Sequence, residues 1–416
     1  MENIVNYKQD FSTYPLMTRL FLSQVSKMSQ KGCLTIKLPD GNFVKLGSTD
    51  EIHADIEIKD RNFFKQIVLF GDIGFGEAYV DGYWETSSIK NVIQWFILNI
   101  DTNSHMSGGQ KRLSGFNLMF LVNKARQLYQ HNSKKNSKKN ISYHYDLSND
   151  FYKQFLDPTM TYSSALYQDG ATTLESAQIA KYESICQNLE LKHTDHVLEI
   201  GCGWGGFASY AAKKYGCKIT GVTLSKEQLQ FANERMKREG LDHLVTFEFR
   251  DYRDIQGKFD KIASIEMMEA IGHQYLPDFF KQLAKLLKQN GIISYQVITS
   301  PDSRYQEFVK GVDWIQKHIF PGSLLPAVGR MQEVMNKNTD LQLHKFKDMG
   351  IDYAKTLDQW NINFHENWNS IKEYNFDERF KRMWRYYLEY CSAAFTMRNI
   401  SVVQMTLTRP NNTELA

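Results

Sequence analysis

His196-Val-Leu-Glu-Ile-Gly-Cys-Gly-Trp-Gly-Gly206 decides how the rest of this chain is read. An apolar run ends in glycines, and a helix-compatible segment follows from Phe207 to Tyr215. That pattern is a buried strand, a tight turn and a helix N-terminus. Glycines accept positive φ and let a ligand approach the backbone, and the first turn of a helix offers free N–H groups. The stretch is therefore read as a cofactor cradle, against the alternative of a tight turn that binds nothing. Gly201, Gly203 and Gly206 formally satisfy the dinucleotide fingerprint, a weak signal alone. Two details oppose a nicotinamide. Glu199, two residues before the first glycine, sets a carboxylate at the strand end, suited to an amine-bearing ligand such as the amino-acid end of S-adenosylmethionine. The next strand, Lys218 to Leu224, ends in Thr223, Ser225 and Gln228 where the dinucleotide pattern expects an acid for the ribose.

Working outward, apolar strands and helical segments alternate. Strands are expected at 197–200, 218–224, 245–249, 261–265 and 292–298, with helices at 206–215, 226–239, 275–289 between them. This is the βαβ rhythm of an α/β, doubly wound, Rossmann-like sheet, which binds ligands at strand C-termini. Ser401–Thr408 is a further strand that pairs with the segment 341–346. An insertion over about 301–384, rich in Phe, Trp and Tyr, is a natural substrate cover. Before this unit, residues 1–130 form a smaller α+β domain. Cys33–Leu38 and Phe43–Leu46 flank an Asp-Gly turn as a hairpin, 54–59 alternates as a strand, 62–70 is helical, 71–84 is glycine-rich, and 91–100 is an apolar helix.

The chain has 416 residues and a net charge of +3, so charge does not point to a nucleic-acid partner. Its 26 Phe, 22 Tyr and 7 Trp serve either a packed core or an apolar substrate tunnel. Five cysteines without C-x-x-C spacing imply neither a disulfide framework nor a zinc site, and no metal is expected. The N-terminus lacks a signal pattern and no run reaches the ~20 apolar residues of a membrane span. Between Leu121 and Asn140 lie six basic residues and no acid, after the apolar segment Phe116–Val122. Lys124 and Arg126, then Lys134, Lys135, Lys138 and Lys139 in a linker at 131–140, are either a solvated tether or a contact with an anionic bilayer, worth about 1 kcal/mol per cation. A cytoplasmic enzyme, peripheral at the inner face of the membrane, is the expectation.

Further blocks sharpen the reading: His144-Tyr-Asp-Leu-Ser-Asn-Asp150, Met160-Thr-Tyr-Ser-Ser-Ala165, Leu174-Glu-Ser-Ala-Gln178, Gly221-Val-Thr-Leu-Ser225, Asp251-Tyr-Arg-Asp254, Met268-Glu269, Ile319-Phe-Pro-Gly322, Asp352-Tyr353 and Arg379 through Cys391. In this order they resemble the cyclopropane-fatty-acyl-phospholipid synthases and their mycolic-acid relatives, from about residue 141 to the end. The stretch Gly71-Asp-Ile-Gly-Phe-Gly-Glu-Ala-Tyr-Val-Asp-Gly82 is similar to the small N-terminal domain of the two-domain synthases, which assists lipid access and subunit association.

The resemblance implies methyl transfer from S-adenosylmethionine to a cis double bond of an unsaturated phospholipid acyl chain, in a homodimer. A carbocation follows and must lose a proton for the ring to close, with bound bicarbonate as base. It carries over Tyr162, Ser163, Glu199, Gly201, Cys202, Gly203, Trp204, Gly205, Gly206, Thr223, Leu224, Ser225, Gln228, Asp251 and Tyr252 as cofactor contacts, Asp251 serving equally as an N-cap. For the bicarbonate site it carries over Glu269, Tyr353 and the backbone N–H of Ile298. Three positions depart: Ser164 stands where many synthases have Cys, Gln296 where many have His, and Ala270 where a His is frequent. An amide donates a hydrogen bond but relays no proton. Cys391 matches the cysteine customarily marked catalytic, although the mechanism needs no nucleophile and a core cysteine is the plainer reading. The alternative outcome is a methyl- or methylene-branched acyl chain, or methylation of a small amine.

Overall fold

The computed structural model describes residues 11–47, 52–99, 147–168 and 170–415. The basic segment and the apolar stretch before it lie outside these residues, as does His144. Among the described residues no helix is long and apolar enough to cross a membrane. The chain divides into two units.

The first unit takes the described residues up to 99 together with Gln306–Ile319 and Lys372–Asn399. Strands β1 (Cys33–Lys37), β2 (Phe43–Leu46), β3 (His53–Ile58) and β4 (Trp84–Glu85) form a sheet in the order β2-β1-β3-β4, with the expected Asp-Gly hairpin joining β1 and β2. Helices α1 (Leu16–Met28), α2 (Asn62–Val80) and α3 (Ile89–Leu98) complete it. The helix expected at 62–70 is longer: α2 runs on through the glycine-rich stretch to Val80 with a kink at Gly71, where φ is 61°. Gly74 and Gly76 are needed for close packing, since a Cβ on Gly76 would lie 2.5 Å from the Trp314 ring. The segments at 306–319 and 372–399 were expected within the second unit, as far as about residue 384 in its substrate cover. They belong to the first unit because their aromatic side chains pack on α2: Tyr386 lies 4.7 Å from Trp314 and 5.8 Å from Tyr79, ring to ring.

The second unit holds a seven-stranded sheet of β5 (His196–Ile200), β6 (Lys218–Thr223), β7 (Val245–Phe249), β8 (Phe259–Ile265), β9 (Leu287–Thr299), β10 (Gln342–Asp348) and β11 (Ser401–Thr408), in the order β10-β11-β9-β8-β5-β6-β7. The five strands from β9 to β7 are parallel, and β11 pairs antiparallel with both β9 and β10. Strand order reverses between β5 and β8, the switch point where such sheets open a crevice. Alternate side chains of β5 feed two cores, Val197 with the helices α4 (Leu174–Asn188), α5 (Gly206–Tyr215) and α6 (Lys226–Glu239), Leu198 and Ile200 with α7 (Leu276–Leu286) and α8 (Val328–Asn338). Local signals fix the helix starts: Thr173 and Ser176 make a reciprocal capping box on α4, and Ser225 caps α6.

Candidate active site

At the switch point, the C-terminal ends of β5, β6 and β8 line a cleft of about 980 Å3, part of it open to solvent. The turn after β5 makes its floor. Gly201, Gly203 and Gly205 have φ of 84°, 52° and 78°, conformations costly for any residue with a Cβ. Gly205 is the N-cap of α5, so the first N–H groups of that helix border the cleft. A Cβ on Gly206 would sit 2.2 Å from the Tyr182 hydroxyl, so the cradle is cut to a backbone-only surface there.

Twelve of the expected cofactor residues line this cleft: Tyr162, Ser163, Glu199, Gly201, Cys202, Gly203, Trp204, Gly206, Thr223, Leu224, Gln228 and Tyr252. Three stand behind it. Gly205 is the helix cap. Ser225 accepts the Gln228 N–H at 3.2 Å and so orients the first turn of α6. Asp251 caps the short turn after β7 and holds the Arg253 guanidinium through both oxygens, at 2.8 and 2.6 Å. That bidentate pair commits its carboxylate within the chain.

Glu199 is only 3% exposed, and its Oε2 has no hydrogen-bond partner among the described residues. Burial pushes its carboxyl well above the usual range, opposed by the charge of Lys181. An orphaned buried carboxylate oxygen aimed into a glycine-floored cleft fits a ligand that brings its own N–H or ammonium group. The residues present therefore fit S-adenosylmethionine.

Beside the cleft runs an aromatic wall. Trp204 stacks against Tyr152 with centroids 5.0 Å apart, Tyr152 against Tyr162 at 5.3 Å, and Tyr162 against Trp360 at 5.1 Å, with Phe155, Phe320 and Tyr353 at its margins. Asn149 Oδ1 accepts the Trp204 indole N–H at 2.6 Å and fixes that ring.

The expected anion site is assembled differently from the sequence expectation. The Ile298 N–H donates to Glu269 Oε1 at 2.5 Å. The Ser164 N–H at 2.8 Å and Gln296 Nε2 at 2.7 Å both donate to Glu266 Oε1, and Tyr353 hydrogen-bonds the same carboxylate. Every donor carried over for a bound anion is thus already satisfied by a carboxylate of the chain, so these residues do not fit a free bicarbonate. Ala270 lines the cleft and supplies no polar group. Burial and the neighbouring charge of Glu266 push Glu269 up to about 8, and burial also raises Glu266.

Cys391 lies in the first unit, on the helix Glu378–Thr396. Burial and the nearby charge of Asp313 raise its thiol, opposite to what a nucleophile requires. Sequence reasoning missed Glu266, Lys181 and Gln404. Lys181 is fully buried on α4, donates to Ser163 Oγ at 2.6 Å, and is brought down to about 7 by burial. It sits among Glu266, Asp157 and Glu199. Its signal was present in the sequence: position 181 falls on the helix stripe of Leu174, Ala177, Gln178 and Ile185, which is buried.

Comparison with known proteins places the chain in a family. The family model of the mycolic acid cyclopropane synthetases matches residues 132–405. The chain is 35% identical over 395 residues to the cyclopropane-fatty-acyl-phospholipid synthase of Escherichia coli K12, covering 92% of this chain and 97% of that protein. It is 35% identical to the tuberculostearic acid methyltransferase UfaA1 of Mycobacterium tuberculosis, over 83% of this chain and 81% of the other. Among solved structures, the mycolic acid cyclopropane synthase CmaA1 complexed with SAH and CTAB superposes with a TM-score of 0.60 at 30% identity, covering 65% of this chain and 98% of that one. The chain belongs to the mycolic acid cyclopropane synthetase family and is an S-adenosylmethionine-dependent methyltransferase of that family.

Proposed function

We propose that this enzyme methylates a cis double bond in an unsaturated phospholipid acyl chain and closes a cyclopropane ring. The observation that carries the reading is the aromatic wall from Trp204 through Tyr162 to Trp360 beside a cleft that holds an orphaned Glu199 oxygen. S-adenosylmethionine, when bound, supplies an electrophilic methyl group on a sulfonium. Glu199 and the glycine turn hold it by its polar ends. An alkene is a weak nucleophile that needs no deprotonation, so the chain's contribution to the first step is positioning. The new cation on the acyl chain is stabilised by ring faces, that of cleft-lining Tyr162 foremost, with Trp360 packed behind it, and the same apolar wall excludes water that would quench it.

The likeness to the Escherichia coli synthase supports a phospholipid as the acyl carrier. That substrate brings the enzyme to a membrane surface, with the basic residues between 121 and 140 as the expected contact with anionic headgroups. A homodimer at the inner face of the membrane completes the reading. A second outcome, a methyl- or methylene-branched chain, is favoured by the likeness to UfaA1 and by the amide at Gln296. The test is transfer of labelled methyl from S-adenosylmethionine to vesicles of unsaturated phosphatidylglycerol and phosphatidylethanolamine. The reading expects label in the released fatty acids; label confined to amines, or none, overturns it.

A further inference from the structure

Glu266 stands where β8 ends and the loop to Glu269 begins. Its φ is 50°, a left-handed conformation that glycine takes freely and a side-chain-bearing residue resists. A carboxylate stands where the backbone favours glycine, and such outliers cluster at functional sites. The side chain lines the cofactor cleft beside Gly201 and Met267. Its Oε1 accepts from the Ser164 N–H and Gln296 Nε2, and the Tyr353 phenol hydrogen-bonds the same carboxylate.

That gathering is held from behind. Gln296 Oε1 accepts from Gln404 Nε2 at 3.1 Å, and Gln404 Oε1 in turn accepts from Ser184 Oγ at 2.7 Å and Asn188 at 3.3 Å. The chain of amides leaves Gln296 one orientation, with its NH2 group toward Glu266 and the Ser164 carbonyl. An imidazole at position 296 could shuttle a proton; the amide can only orient an acceptor. Positions 164, 296 and 353, expected around a bound anion, place their donors on a carboxylate built into the chain, while the Ile298 N–H serves Glu269.

We propose that Glu266 is the base of ring closure, acting in place of a bound anion, so that this enzyme turns over without bicarbonate. The proposal rests on the cyclopropanation reading above. In the steps it covers, the alkene electron pair forms a carbon–carbon bond to the methyl group while the carbon–sulfur pair stays on sulfur. The former double bond is left with a cation. Glu266 then takes a proton from the added methyl group, and the electrons of that C–H bond close the third side of the ring. The positive charge that arrived on sulfonium leaves as the proton on Glu266, which passes to water when the cleft empties. Gln404 is a positioning residue in this scheme, acting only through Gln296.

The test is turnover of the full-length enzyme on unsaturated phospholipid vesicles in buffer stripped of carbon dioxide, then with millimolar bicarbonate restored. The wild type is expected to run equally fast in both. Glu266→Gln preserves shape and is expected to bind SAH normally while losing about 100-fold or more in ring formation, the usual contribution of a general base. Glu266→Ala frees the three donors, and formate or bicarbonate is expected to restore part of its turnover with saturation. A wild type whose rate rises with bicarbonate, or a Glu266→Gln enzyme that turns over normally, overturns the assignment. A wild type that labels no acyl chain at all overturns the parent reading and the base with it.

Discussion

Replacing Glu199 by Gln is expected to have two effects of opposite sign. The carboxyl is 3% exposed, one of its oxygens has no partner among the described residues, and burial raises its pKa well above the usual range against the opposing charge of Lys181. Without ligand, the folded protein therefore holds a proton on Glu199 that the unfolded chain releases above its ordinary value near 4.5. Folding takes up that proton, so this group's contribution to stability falls as pH rises above about 4.5. Glutamine does not titrate, so the ligand-free variant should melt higher than wild type at neutral and alkaline pH, the gap closing in acid. Ligand binding should move the other way. A hydrogen bond to a charged group is worth about 1.5–3 kcal/mol, so the variant should bind SAH roughly 10- to 150-fold more weakly. Calorimetry in two buffers of different ionisation enthalpy adds a third reading: wild type should release protons on binding as Glu199 ionises, and the variant should release fewer. Unchanged SAH affinity, or a variant melting below wild type at all pH values, would refute the assignment of Glu199 as the ligand's anionic anchor.

Other residues are open to equally direct tests. Gly206→Ala places a Cβ 2.2 Å from the Tyr182 hydroxyl, so denaturant titration should show a loss of about 1–3 kcal/mol and SAH affinity should fall with it. Glu269→Gln should be more stable than wild type above pH 8 and converge with it below about 4.5, because the folded chain carries this carboxyl protonated up to about 8; thermal melts across that range read the difference. Cys391→Ala should keep wild-type turnover, and the native thiol should resist iodoacetamide at neutral pH, since burial and Asp313 hold it protonated.

Where the sequence carried local information, it was legible. The run His196 to Gly206 contains a buried strand, its turn and its cap within eleven residues, and the strand and helix stand where the pattern placed them. The strands Val245–Phe249 and Ser401–Thr408 have the expected bounds, and β10 pairs with β11. The expected helix at 275–289 stops at Leu286, since β9 begins at Leu287 with no intervening loop. The helix expected at 62–70 extends to Val80 because the cost of about 1 kcal/mol per glycine is less than the burial of Ile73, Phe75 and Tyr79 returns.

The domain boundary after residue 300 was hidden for a related reason. Trp314 and Tyr386 are irregularly spaced in sequence and meet only when the first unit packs. In the site, glycines and Glu199 follow from local spacing. Glu266 does not, because its role depends on donors from residues 164, 296 and 353, three distant segments brought together by the sheet. The departures at Ser164 and Gln296 were visible; the carboxylate that accounts for them was not.

The most direct measurement is the product made from S-adenosylmethionine with a fully deuterated methyl group, using unsaturated phospholipid vesicles in carbon-dioxide-free buffer. Ring closure by Glu266 predicts a fatty acid that has gained one CD2 group, one methyl deuteron having been lost, with its deuterium signals in the upfield cyclopropyl region of the deuterium NMR spectrum, formed at the rate seen with bicarbonate. A product retaining all its methyl deuterons, or one whose deuterium signals fall in the vinylic region, would contradict ring closure, and product formed only after bicarbonate is added would contradict Glu266 as its base.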